Sequence, residues 1–164
     1  MLVAINYRLG VPGFAVLDGA PTNLGLRDQI AALEWVRDNV AAFGGNSEAV
    51  TVFGESAGGM SVATLMASPA ARGLFHRAIV QSGGGTAACS LQDARRVSAE
   101  VAAHLGVPAT AEAFAALDPN VIIATQSAVA LAIQSDPDPQ RWGPTVLGGG
   151  LGIMSLFPVV DGEI

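Results

Sequence analysis

The alternation of short apolar runs with stretches of helical periodicity is the feature that most constrains this 164-residue chain. Residues 2–7 (Leu-Val-Ala-Ile-Asn-Tyr), 50–53 (Val-Thr-Val-Phe) and 77–81 (Arg-Ala-Ile-Val-Gln) are short, apolar and bounded by turn residues, as strands buried on both faces are. Between the first two, Leu26, Ile30, Leu33, Val36 and Val40 recur at helical spacing. Asn23 is the expected N-cap of that helix, Asp28 is expected to complement its dipole from the first turn, and Gly44-Gly45 is its stop. A second helix is predicted from Ala57 to Ala67, halted by Ser68-Pro69. Strand, helix, strand, helix, strand implies an α/β fold with a parallel sheet, helices on both faces and right-handed crossovers.

Residues 8–22 read as a Gly/Pro-rich loop, and the character changes again after residue 90. Ser90-Leu91-Gln92-Asp93 is a capping box for a helix running to about Leu105, closed by Gly106 and Pro108. Residues 110–117 and 118–133 read as two more helices, the latter with proline at N1, and 134–152 as a Pro/Gly-rich loop. The expected organisation is one domain over residues 1–164, with a sheet core in 1–85 and a helical and loop region in 86–164.

Composition removes several functions. Eight arginines against fourteen acidic residues give a net charge of −6, which argues against nucleic acid as a partner. The chain has no lysine, so Schiff-base chemistry, a phosphate-cradling P-loop lysine and the S-x-x-K hydrolases are excluded. Cys89 stands alone, which rules out an internal disulfide and zinc sites built on paired cysteines; a small buried hydrophobe is its expected role. Neither a metal nor a cofactor is expected. The longest uncharged window, residues 142–160, is broken by glycines and prolines and cannot span a membrane as a helix. No basic leader precedes the first apolar run, and with the lone cysteine this leans toward a cytoplasmic protein. Charged residues are only 13% of the chain, about half the usual share, and mean hydropathy is +0.46. That balance is expected of a core segment taken from a larger protein.

One segment carries chemistry. Gly54-Glu55-Ser56-Ala57-Gly58 fits the G-x-S-x-G pattern, and its context, between a predicted buried strand and a predicted helix, is the one a nucleophile elbow requires. A turn this tight holds its serine in a strained conformation, and Gly54 and Gly58 are expected to leave room where a Cβ would clash. It lifts the Ser56 hydroxyl clear of the sheet and aims the Ala57 N–H at the place where an oxyanion would form.

Tyr7-Arg8-Leu9-Gly10, Asn23-Leu24-Gly25-Leu26-Arg27-Asp28-Gln29, Ala32-Leu33-Glu34-Trp35-Val36, Phe43-Gly44-Gly45-Asn46 and Phe53-Gly54-Glu55-Ser56-Ala57-Gly58-Gly59 follow one another along the chain. Leu74-Phe75-His76-Arg77-Ala78-Ile79, Gln81-Ser82-Gly83 and Phe157-Pro158-Val159-Val160-Asp161-Gly162 extend the series. In these segments and their order the chain resembles the type-B carboxylesterases of the α/β-hydrolase superfamily, which include cholinesterases and bacterial p-nitrobenzyl esterases. The resemblance implies a partial α/β-hydrolase fold, with the elbow after the second strand, and hydrolysis of carboxylic esters through an acyl-enzyme on Ser56. Ala57 would be an oxyanion donor, Glu55 would lie beside the active-site floor, and Ser82 would match a serine close to the triad.

It also implies what is missing. The match covers the middle portion of family members, so the glycine-rich oxyanion loop, the triad acid and the triad histidine are expected elsewhere, and the chain alone is expected to be inactive. His76 and His104 are expected to be structural. Asp93 with His104 has the right chain order but shares one helix. Met154 and residues 148–152 are candidates for the border of an acyl pocket. The alternatives are a non-catalytic binding or interaction module on the same fold, and an enzyme completed by a second chain that carries the missing residues. Acyl and alcohol preference and oligomeric state have no signature in the sequence.

Overall fold

The computed structural model describes residues 1–149 and 154–164. In chain order its elements are α1 (Gly10–Phe14), α2 (Leu24–Asn39), β1 (Thr51–Glu55), α3 (Ala57–Ala67), β2 (Arg77–Gln81), β3 (Cys89–Ser90), α4 (Leu91–Leu105), α5 (Ala111–Ala115), α6 (Pro119–Ser135), α7 (Pro139–Trp142), α8 (Pro144–Gly149) and β4 (Val159–Val160). They form two compact units. One comprises Met1–Arg8, Gly25–Thr86 and Gly162–Ile164; the other comprises Leu9–Leu24 and Ala87–Asp161.

In the first unit β1 and β2 pair in parallel, from Thr51 opposite Arg77 to Glu55 opposite Gln81. Helix α3 is the crossover between them and packs on both, burying Val62 and Leu65. Helix α2 turns Leu26, Ile30, Leu33 and Val36 inward, the stripe its periodicity predicts. Gln29 on that stripe donates from Nε2 to the Ser61 hydroxyl of α3 at 3.2 Å, so this buried amide is bonded. A 3₁₀ turn over Val40–Phe43 and a left-handed Gly44 finish the helix, as expected.

Three expectations fail in this unit. Residues 2–7 form no strand: no ladder reaches them, and all except Tyr7 are exposed. Strand structure needs a neighbour, which an apolar pattern does not supply. The elbow therefore follows the first formed strand, not the second. Asn23 does not cap α2; its φ of +57° and its side chain serve the other unit. Asp28 lies beyond the first turn of α2 and answers Arg8 rather than the dipole. The Arg8 guanidinium donates from Nε to Oδ2 at 2.8 Å and from Nη2 to Oδ1 at 2.6 Å, and the Arg8 backbone N–H adds a bond at 3.0 Å.

The fork from Arg8 lowers the Asp28 pKa against the opposing effect of burial. A carboxyl depressed on folding contributes stability above its unfolded pKa and loses it as pH falls through the folded value. The pair is partly exposed, so Asp28→Asn is expected to cost about 0.5–1 kcal/mol at neutral pH and nothing once the pH lies below the folded pKa. Urea titrations of both proteins across acid pH check this by the convergence of their midpoints.

The second unit is helical around a core that includes Val97, Val101, Val129, Ile133, Trp142 and Val146. Helices α4 to α7 start where oxygen-bearing side chains meet free amides: the hydroxyls of Ser90 and Thr110 and the carboxylates of Asp118 and Asp138 accept from Asp93, Ala113, Asn120 and Gln140. Helix α4 spans the expected residues, but only half of the capping box forms, because the Asp93 carboxylate turns to Thr145. Burial raises the Asp93 pKa, yet the bonds from Thr145 and Ser90 and the nearby Arg96 charge outweigh it and leave the pKa lowered. Two segments expected to be loops contain helices. Residues 8–22 hold α1, and 134–152 hold α7 and α8, each opened by a proline, Pro139 and Pro144. Met154 is half-buried against the core, whereas residues 150–152 of the expected acyl border lie outside the described residues.

The second parallel pair, β3 with β4, puts Cys89 opposite Val159 and Ser90 opposite Val160. On the far side of Val159 the Asn23 side chain acts as a one-residue strand: Nδ2 donates to the Val159 carbonyl and Oδ1 accepts the Val159 N–H, both at 2.8 Å. Nδ2 also reaches Asp161 at 2.8 Å. Among the described residues, no helix is long and apolar enough to cross a membrane.

Candidate active site

β1 ends at Glu55, α3 begins at Ala57, and Ser56 alone makes the turn between them. Its φ of 54° and ψ of −118° match the first central position of a type II′ turn, which glycine normally occupies. Two backbone bonds hold it there. The Ser56 N–H donates to the Gln81 carbonyl at 2.9 Å, and its own carbonyl accepts from the Met60 N–H at 2.9 Å. A serine before a helix usually spends its hydroxyl on the first-turn amides; this one makes no such bond, and Ser56 is exposed.

Glycines permit the turn, though not the pair the sequence suggests. A Cβ on Gly54 would lie 2.4 Å from the Gly58 carbonyl carbon and 2.5 Å from its oxygen, so only glycine fits. A Cβ on Gly58 would meet nothing within 4 Å. Gly58 matters as the backbone that Gly54 touches, not for the absence of its own side chain. Two further glycines have the role expected of it. A Cβ on Gly59 would sit 2.6 Å from the Gln81 carbonyl oxygen, and one on Gly83 would sit 2.6 Å from the Met60 nitrogen. The end of β2 is thus pressed against the first turn of α3. Ser82, between Gln81 and Gly83, has a φ of 49°. No local pattern marks Gly59 or Gly83 as necessary, because the atoms they touch most closely belong to residues 22 and 23 positions away in the chain.

Around the hydroxyl the field favours negative charge. Ala57, Gly58 and Gly59 are the first residues of α3, whose leading amides have no partner inside the helix. Glu55 is exposed, opposite Gln81 in the ladder. An exposed hydroxyl beside free helix amides can attack a carbonyl carbon and hold the resulting oxyanion, provided a base takes its proton.

Each histidine has a bond within its own unit, and the one in the first unit lies away from Ser56. The Nδ1 of His76 accepts the Val50 N–H at 3.3 Å, at the opposite end of β1 from Ser56 and so about 20 Å along the strand. His104 bonds through Nδ1 to the Glu100 carbonyl at 2.8 Å, one turn back on its own helix. Asp93 and His104 are eleven residues apart on α4, about 16 Å, and form no dyad. Cys89 is buried, and burial, followed by the Asp93 charge, pushes its thiol up to about 12, which leaves it inert. Among the described residues no group of three or more His, Cys, Asp or Glu side chains is placed to hold a metal.

The chain is similar to several known proteins. The family described as carboxylesterase matches residues 1–164. The para-nitrobenzyl esterase of Bacillus subtilis (strain 168) is 59% identical over 87 residues, 51% of this chain and 18% of the relative. Carboxylesterase 1D of Mus musculus is 48% identical over 116 residues, 69% of this chain and 20% of the relative. A solved thermophilic PNB esterase superposes with a TM-score of 0.81 at 36% identity, over 96% of this chain and 31% of that one. The two units therefore carry part of an α/β-hydrolase fold, and the chain spans less than a third of the proteins it matches.

Proposed function

Because this chain belongs to the carboxylesterase family, we propose that Ser56 is the nucleophile of a serine esterase that cleaves carboxylic esters through an acyl-enzyme. The observation that carries the reading is the backbone of Ser56. A non-glycine residue held in a glycine conformation, with its hydroxyl withheld from helix capping, is strain kept for a purpose. In this reading Ser56 Oγ attacks the ester carbonyl, the Ala57 N–H steadies the oxyanion, and the alcohol leaves with a proton returned by the base. Water then attacks the acyl-serine and restores the hydroxyl. Glu55 shapes the floor beside the nucleophile, and Ser82 supports the turn from the end of β2.

The reading has a second part. This chain contributes the nucleophile and one oxyanion donor; the base, the acid that orients it and the remaining donors come from carboxylesterase polypeptide beyond these residues. His76 and His104 support this, since each is bonded away from the role. The substrate class in this reading is a small uncharged carboxylic ester; the relatives' printed names, para-nitrobenzyl esterase and carboxylesterase 1D, support an esterase in general.

A fluorophosphonate probe, read by mass spectrometry, tests the assignment. With the unmatched remainder of the Bacillus subtilis para-nitrobenzyl esterase supplied as separate polypeptide, the adduct is expected on Ser56, to be absent in Ser56→Ala, and not to form on the 164-residue chain alone. Labelling elsewhere, or equal labelling of Ser56→Ala, would overturn it. Ser56→Gly supplies an independent reading of the strain: it is expected to raise stability by about 0.5–1 kcal/mol while abolishing the adduct.

A further inference from the structure

The first turn of α3 carries two parts of the proposed chemistry, since Ser56 leads into it and the Ala57 N–H is one of its free amides. That turn is weak by composition. Gly58 and Gly59 follow Ala57, and glycine is the poorest helix former after proline. What holds the turn is therefore tertiary. On one side stands the end of β2. The Gln81 carbonyl accepts the Ser56 N–H, Gly59 lies against the same oxygen, and Gly83 lies against the Met60 nitrogen.

On another side stands α2. Helix α3 packs closely on β1 and β2 but only sparsely against α2, so a long side chain has to cross the interval between the two helices. Gln29 does so, donating from Nε2 to the Ser61 Oγ at 3.2 Å. Both residues are buried, Gln29 at 3% exposed and Ser61 at 8%. An apolar side chain could fill the same interval, but its contacts would have no direction. A hydrogen bond weakens steeply with angle, so it fixes the helix along and around its axis. Gln29 is itself held in place, because Asp28 before it takes the fork from Arg8 and Ile30 after it is buried. Ser61 lies four residues after Ala57, one turn further on the same helix face. The bond from the Met60 N–H to the Ser56 carbonyl closes the turn between them.

We propose that Gln29 is a positioning residue for the esterase reaction. Through the Ser61 hydroxyl it sets the first turn of α3, and so the aim of the Ala57 N–H at the oxyanion that forms when Ser56 attacks. It touches neither substrate nor reacting atoms. The inference rests on the reading of Ser56 as nucleophile and extends it to α2. An oxyanion donor acts at about 2.7–3.1 Å, and a displacement of about 1 Å can cost on the order of a hundredfold in rate.

Gln29→Met keeps the length and helix preference of the side chain and removes the donor. In the 164-residue chain alone, hydrogen exchange of the Met60 and Ser61 amides is expected to quicken roughly tenfold, with β2 and the interior of α4 unchanged. The second measurement supplies the unmatched remainder of the Bacillus subtilis para-nitrobenzyl esterase as separate polypeptide. There the fluorophosphonate adduct on Ser56 is expected to form roughly ten- to a hundredfold more slowly, and kcat for p-nitrophenyl acetate to fall equally with KM unchanged. Ser61→Ala is expected to do the same, and the double variant no more than either, because all three remove one bond. Wild-type labelling and turnover in Gln29→Met overturn the proposal. So does exchange that quickens equally across β1, β2 and α3 with kcat unaltered, which would make the bond purely structural. If wild-type Ser56 takes no adduct, the nucleophile is rejected; local quickening at Met60 then retains the tether and strikes its catalytic consequence.

Discussion

Gly54→Ala is expected to unfold the turn that presents Ser56. The added methyl would lie within 3 Å of three atoms of Gly58, all of them backbone. Side chains can yield to such a contact, but the first turn of a helix packed on two strands cannot. The cost is expected to reach roughly 3 kcal/mol or more, the upper end for an overpacked site. That is a large share of the 5–15 kcal/mol that holds an ordinary domain together. Gly58→Ala is the control. It differs by four positions, obeys the same motif and meets open space, so it is expected to stabilise α3 by up to about 1 kcal/mol. Urea unfolding followed by circular dichroism should separate the two by sign. Equal effects would mean that the motif's two glycines are interchangeable and that the close approach of Gly54 to Gly58 is not real.

Asn23→Ala is the second substitution with a large expected effect, and it acts within the other unit. It deletes the partner of both the Val159 N–H and the Val159 carbonyl, at a residue that is 4% exposed, and removes a donor from Asp161. An unsatisfied buried polar group costs about 1–3 kcal/mol, so the loss is expected to be about 3–4 kcal/mol. Alanine also tolerates the φ of +57° less well than asparagine. Asn23→Asp separates these causes. It keeps the backbone preference and the acceptor, but loses the donor and sets a second carboxylate beside Asp161. Its penalty should therefore grow as pH rises through the carboxylate range, whereas that of Asn23→Ala should not.

Local signals carried much of this fold. The bounds of α3, β2 and α4 follow from the proline after Ser68, the apolar run Ala78-Ile79-Val80 with its β-branched pair, and the Ser90 cap with Gly106. Each depends on atoms a few residues apart. The misreadings share the opposite property. Residues 2–7 have strand composition but no neighbour to pair with, and pairing cannot be read from one segment. Asn23 has the chemistry of a cap but is claimed by Val159, 136 residues on. Pro139 and Pro144 looked like breakers in a glycine-rich stretch, yet each opens a helix, where its missing N–H costs nothing. At the site, Ser56 was legible because its motif is local. Gly59 and Gly83 were not, since their need for a bare Cα arises only when the end of β2 meets α3.

The clamp at Asn23 also sets a schedule for synthesis. Its carbonyl-and-amide grip on Val159 joins positions 136 residues apart, and α1 packs on α6 across a similar interval. On a ribosome adding about 5–20 residues per second, residues 9–24 emerge and then wait roughly 7 to 27 seconds for the strand they hold. Residues 25–86, by contrast, contain both strands and the crossover of their own sheet, and can close it as soon as they clear the exit tunnel. Translation speed across residues 87–161 therefore decides how long Val11, Ala15 and Val16 remain uncovered. Synonymous changes there are a lever on yield that leaves every contact untouched.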